Sequence, residues 1–305
     1  VGEEKIMKIS NTATDCQTSE VILREQRQIC RERFFSNPGL IIGLTVFILI
    51  ALAAIIIPAA VNVDPNEMAI ADRLKGPSLN HPFGTDEFGR DLMIRVLYGA
   101  RVSLLVGGAV ALLSCVLGTV TGIYASYFKI LDHILMRICE GLIAIPGVLL
   151  AIALMAALGA SNLNVIIALT IVYTPSVARI VRSSALVTRG LPYVEAAEVQ
   201  GAGSGRILWK LILPSVISPL TVQASFIFAQ AIISEASLSF LGAGIPAPAA
   251  SWGNILQGSK QVLQKAPWTV LFPGLAVVLC VLSLNLLGDG LRDYLDPRTA
   301  GRKKG

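Results

Sequence analysis

Glu195 and Glu198 stand three residues apart at the start of a polar stretch, EAAEVQGAGSGRILWKLILP, spanning residues 195–214. On a helix, acids at that spacing share a face, and near a helix N-terminus the macrodipole favours them. Ala197 and Gly201, four apart, make a face without bulk that a second backbone can approach closely. This pattern suits recognition of a partner surface, with Glu195 placed to pair with an arginine there, rather than bond-making. The glycines at 201, 203 and 205 do not make a phosphate loop, because no Lys-Ser or Lys-Thr follows at the GxxxxGK[ST] spacing. A second group lies at residues 81–95: His81, Asp86, Glu87, Arg90, Asp91 and Arg95. One histidine near Asp86 and Glu87 is a weak metal signal without spaced partners. Asp86, Arg90, Asp91 and Arg95 are expected to form a network of ion pairs, with a substrate contact as the alternative. The third candidate is Glu235, an acid in an otherwise apolar run. It has either a role in a pathway or a structural hydrogen-bonding role. The five cysteines form no CxxC and read as small buried hydrophobes. No catalytic residue, metal or cofactor is assigned to this chain.

The elements that carry these residues are apolar. Hydrophobic residues make up 54% of the 305 residues and charged residues 15%, against about 25% charged in soluble domains. The net charge of +5 is therefore a question of where Lys and Arg fall around membrane spans, not a nucleic-acid signal. Uncharged runs predict six transmembrane helices in an all-α polytopic protein. They fall at Ile41–Val61, Val102–Phe128, about 141–159, about 164–182, Leu211 to about Phe240, and Ala266–Gly288. Residues 141–178 hold no charge, and one helix of that length would reach ~57 Å, nearly twice the bilayer core. The run is therefore split at Gly159–Asn164. Pro146 and Pro175 fall inside the resulting spans and invite kinks that either line a pathway or serve packing. Gly118 and Gly122 share a face suited to close helix packing in lipid.

Six spans put both termini on one side. Eighteen of the 25 Lys and Arg fall on that side and seven on the other, which predicts cytoplasmic termini. The expected organisation is a cytoplasmic tail at 1–38, with a basic amphipathic helix or a plain tail at residues 20–35, and a first span at 39–61. An extracytoplasmic loop follows at 62–101. A core domain of five spans at 102–288 contains a cytoplasmic loop at 183–210, and a cytoplasmic tail closes the chain at 289–305. No cleavable signal peptide is apparent, so the first span reads as a retained anchor. Within the loop, Leu191-Pro192 breaks one helix and Pro192 suits the start of the next. A helix over 193–200 is too short to stand alone. It either docks into a groove on a partner or packs on its own bundle.

Glu195-Ala196-Ala197, three residues, Gly201, nine residues, then Leu211-x-Leu213-Pro214 resembles the signature loop of ABC importer permeases. The run His81–Asp91, continuing through residues 97–104, is similar to the second permease subunit of the dipeptide, oligopeptide and nickel importers. So are SFLGAG at 239–244, Ser251-Trp252-Gly253, residues 285–293 and Asp296-Pro297. The resemblance covers about residues 30–298. It implies the type I ABC importer transmembrane fold in the inner membrane, and coupling to ATPases through Glu195, Ala196, Ala197, Glu198, Gly201 and Pro214. The implied partners are a homologous second permease subunit, two ATPase subunits that bind ATP and Mg, an extracytoplasmic solute-binding protein, and membrane lipid. The solute would be a dipeptide or oligopeptide, or alternatively nickel or another small solute. A secondary transporter would need buried ionisable groups near mid-membrane, and Glu235 alone qualifies. A membrane enzyme would need clustered His, Asp or Cys. A scaffold would leave the signature loop without a purpose.

Overall fold

The computed structural model describes residues 37–61 and 63–295. The basic stretch at residues 20–35 and the tail beyond 295 lie outside the described residues. The helices are α1 Pro38–Val61, α2 Leu92–Tyr127, α3 Lys129–Ile143, α4 Gly147–Leu158, α5 Asn162–Arg189, α6 Pro192–Val199, α7 Ser204–Phe240, α8 Trp252–Ser259 and α9 Trp268–Leu295. Among the described residues, one isolated bridge, Thr85 to Asp91, is the extended pairing.

Among the described residues five helices, α1, α2, α5, α7 and α9, are long and apolar enough to cross a membrane. A sixth crossing is obtained only by counting α3 and α4 together, and these meet at a bend of 94°. The third span expected over 141–159 is thus not one continuous helix but is divided between α3 and α4. Pro146 does not kink a continuous helix. It stands as the cap before α4, where its ring and missing N–H end one helix and permit another, and it biases Ile145 away from helical backbone. With 12 residues, α4 reaches only ~18 Å, short of the ~30 Å hydrocarbon core.

Three boundaries also move. α2 begins at Leu92 rather than near Val102 and runs for 36 residues, a rod of ~54 Å. It takes its first turns from the segment expected as loop because Asp91 caps it, the Asp91 Oδ1 accepting the Ile94 N–H at 3.0 Å. α9 continues to Leu295, past the expected end at Gly288. α7 begins at Ser204 rather than Leu211, through a π-helical turn at Ile207–Ile212.

α2 is the spine, packed most extensively on α5 and then on α7. Gly118 and Gly122 set the α2–α5 approach. A Cβ at Gly118 would stand 2.4 Å from the Val177 Cβ, and one at Gly122 would stand 2.6 Å from the Ala178 carbonyl oxygen. On the other flank α1 lies against α9, where a Cβ at Gly290 would stand 2.4 Å from the Leu40 Cβ. Leu49, Ile55, Leu105 and Leu112 are exposed on the outer faces. Water would penalise such a surface, whereas lipid solvates it, and the helices satisfy their backbone groups internally as a bilayer demands.

Candidate functional site: the polar ends of an apolar bundle

At one end, the chain leaves α5 after Arg189 and turns through Gly190 and Leu191 into α6, which starts on Pro192. Pro at the first helical position forgoes no intrahelical bond. The far end of α6 closes as a Schellman motif. The Ala202 N–H donates to the Ala197 carbonyl and the Gly201 N–H to the Glu198 carbonyl, both at 3.0 Å, with Gly201 at φ +80°. Gly201 thus has a local reason to be glycine besides presenting a smooth face. Because nothing lies within 4 Å of a Cβ there, Gly201→Ala is expected to cost about 1–2 kcal/mol through backbone strain alone. Thermal unfolding of purified Gly201→Ala and Gly201→Ser checks this. A penalty that grows with side-chain size would point to steric contact instead.

α6 is pinned by one side chain. Val194 is fully buried in the main apolar core. Tyr193, Glu195, Ala196, Glu198 and Val199 are exposed, Val199 at 89%, and Ala197 is half-buried. The Glu195 and Glu198 carboxylates thus stand on a small projecting helix. Pro214 is not part of it. It lies exposed in the first turn of the Leu213–Phe240 segment, and it cannot donate an N–H to the Lys210 carbonyl. The adjoining turn, Ile207–Ile212, is π-helical, the local adjustment such a missing bond invites.

The cluster at residues 81–95 divides in two. Asp86 Oδ1 accepts the N–H groups of Phe88 at 2.8 Å and Arg90 at 3.0 Å, and its Oδ2 takes the Arg90 Nε at 2.6 Å. Arg95 Nε stands 3.6 Å from the same oxygen, while its Nη1 donates to the Pro65 carbonyl and Asn66 Oδ1, each at 3.1 Å. Asp86, Arg90 and Arg95 therefore come together. Asp91, expected among them, instead caps α2 and places its Oδ2 2.8 Å from the His81 Nδ1. The second carboxylate near His81 is Asp72, at 3.9 Å from Nε2, rather than Asp86 or Glu87. A hydrogen bond from Lys75 holds the Asp72 carboxyl below its ordinary range. No set of three or more His, Cys, Asp or Glu gathers as a metal site among the described residues.

Glu235 is completely buried. Its Oε2 accepts from the Ser103 hydroxyl of α2 at 2.8 Å and its Oε1 from the Ser239 hydroxyl at 2.9 Å, with the Ser251 hydroxyl also bonded to it. Ser239 in turn accepts the Ile245 N–H at 3.1 Å. Ser251 caps α8, and Trp252 donates its indole N–H to the Val96 carbonyl at 3.0 Å. Around this knot only glycine fits in two places. A Cβ at Gly244 would meet the Ser239 hydroxyl at 2.4 Å, and one at Gly253 the Ala236 carbonyl oxygen at 2.6 Å. The SFLGAG and SWG runs thus have a packing reason. Ser239, one helical turn after Glu235, was findable from i,i+4 spacing; Ser103, 132 positions away, carried no such signal. Of the two prolines, Pro146 is exposed at the α3–α4 break. Pro175 is buried in an unbroken α5, near Tyr173, whose hydroxyl pairs with that of Ser234 on α7 at 2.7 Å.

Long apolar helices with polar groups gathered at their ends make this an all-α, multi-pass membrane protein. Its membership is equally definite: residues 114–301 match the binding-protein-dependent transport system inner membrane components and residues 26–77 the N-terminal TM domain of oligopeptide transport permease C, and the chain belongs to this permease family. Among its relatives, a putative peptide transport system permease protein of Brucella suis is 48% identical over 284 residues, covering 93% of this chain and 94% of that protein. The dipeptide transport system permease protein of Alkalihalophilus pseudofirmus is 45% identical, covering 85% and 84%. The glutathione transport system permease protein of Pectobacterium atrosepticum is 41% identical, covering 89% and 91%. The chain is thus an inner-membrane transport subunit.

Proposed function

We propose that this chain is one permease subunit of an ATP-driven importer for dipeptides or oligopeptides, and that α6 is its docking helix for a cytoplasmic ATPase. The substrate class rests on relatives whose names specify peptides, dipeptides and glutathione, matched over most of their length. The observation that carries the docking role is α6 itself, anchored in the core through Val194 and presenting Glu195, Ala196 and Glu198 outward. In this reading both termini and the 183–210 loop are cytoplasmic, in line with the Lys and Arg bias. The 62–91 loop faces the opposite side, where a solute-binding protein delivers its ligand. A homologous second permease completes the pathway, and ATP and Mg are bound by the ATPase pair. Closure of that pair moves α6, and the bundle follows.

The test is assembly. In membranes expressing the whole importer, Glu195→Arg is expected to release the ATPase subunits and abolish uptake, because it reverses an exposed charge at a partner contact. Retention of both the ATPase subunits and uptake sinks the docking role. The solute is read from the ligand that copurifies with the binding protein.

A further inference from the structure

Arg189, the last residue of α5, touches two other helices at once. Its Nη1 donates to the carbonyls of Ser126 and Tyr127, at 3.2 and 3.3 Å, where α2 ends. Its guanidinium lies over the Tyr127 ring, 4.8 Å from the centroid. Its Nε stands 4.0 Å from Glu198 Oε1 on α6. The end of a helix carries partial negative charge on its last carbonyls, which favours a cation there. A planar guanidinium can hold those carbonyls with one arm and face a carboxylate with another, whereas an ammonium is a single point charge.

We infer that Arg189 is a positioning residue that passes displacement of α6 to α2. The inference rests on the reading of α6 as the docking helix. Two features of the geometry carry it. The Arg189–Glu198 pair is half-exposed on both sides, so it is a weak contact of the kind that rearranges easily rather than a rigid strut, and the firmer contacts point to α2. The other end of α2 holds the second polar knot, through Asp91 at its cap, the Val96 carbonyl on Trp252 and Ser103 on Glu235. One continuous helix therefore connects Arg189 to the groups that fix α8 and the 241–251 loop.

The experiment uses the intact importer in membrane vesicles, with Arg189→Ala, Arg189→Lys and Glu198→Gln. Bound ATPase subunits, ATP hydrolysis stimulated by the loaded binding protein, and solute taken up per ATP are measured together. Arg189→Ala is expected to keep the ATPase subunits at parental amount while uptake per ATP falls about 2- to 30-fold, the range of coupling changes from single residues. Arg189→Lys is expected to restore part of it, and Glu198→Gln to show a smaller loss. Parental uptake per ATP in Arg189→Ala overturns the relay, whatever the fate of the docking reading. So does loss of folded complex in both Arg189 variants, which assigns the residue to stability alone. Failure of the docking reading is seen separately, as ATPase subunits and uptake both retained after Glu195→Arg.

Discussion

Glu235→Ala is expected to lower the stability of the membrane domain by about 2–5 kcal/mol, through a cavity and through serine hydroxyls left without their acceptor. The residue is completely buried and joins Ser103 of α2, Ser239 of α7 and the Ser251 cap of α8. Its loss unties three elements at once. Glu235→Gln keeps the volume and one carbonyl acceptor, and serine hydroxyls can rotate to accept from the new amide, so a loss of about 1 kcal/mol is expected. Thermal unfolding of the detergent-purified variants, read beside uptake, separates the alternatives. A structural carboxylate gives a large deficit in Glu235→Ala and near-normal uptake in Glu235→Gln. A pathway role gives the reverse: Glu235→Gln folds normally and fails to transport.

Gly122→Val is the second large effect. The Gly122 Cβ would stand 2.6 Å from the Ala178 carbonyl oxygen and 2.8 Å from the Val181 Cβ. Backbone cannot retreat as a long side chain can, so α2 and α5 must separate, at an expected cost of about 1–3 kcal/mol. Gly108→Val on the same helix is the control, because its Cβ would find its nearest neighbour at 3.7 Å, an edge of the Phe228 ring. Yield of folded protein from membranes should drop for Gly122→Val and stay near parental for Gly108→Val. Equal yields for the two would show that the α2–α5 approach does not depend on small residues.

Much of this architecture is written in local chemistry. Uncharged runs mark the long helices because a bilayer admits little else. Pro192 and Gly201 mark the ends of α6, the proline because its fixed φ and missing N–H suit a first helical position, the glycine because it adopts a positive φ that few residues share. Gly118 and Gly122 show the α2 packing face through spacing alone. What could not be read this way depends on tertiary partners. Pro146 announces a bend, but a proline in an apolar run can either kink a helix or end it, and the sequence around it does not choose. Asp91 and Asp86 are equivalent as a list of charges, and only the fold sends one to His81 and the helix cap and the other to two arginines. Glu235 stood out as an acid in an apolar run, yet two of its three serine partners come from distant positions. Arg189 is one of the eighteen Lys and Arg that fall on one side in the sequence, and only the fold places Ser126, Tyr127 and Glu198 around it.

The π-helical turn at Ile207–Ile212 has a consequence for angular phase. An α-helix advances about 100° per residue, and a π turn accommodates one residue beyond the α repeat. A single helical wheel drawn from Ser204 to Phe240 therefore slips out of step partway along. Ile207 and Leu208 at the start of the wide turn and Glu235 well beyond it are all fully or nearly fully buried, each stretch obeying its own neighbours. The wide turn sets a fixed phase offset between two stretches of one rod. The stretch beside α6 can be oriented for its surroundings without dictating which side chains Phe240's end of the helix presents to the serines.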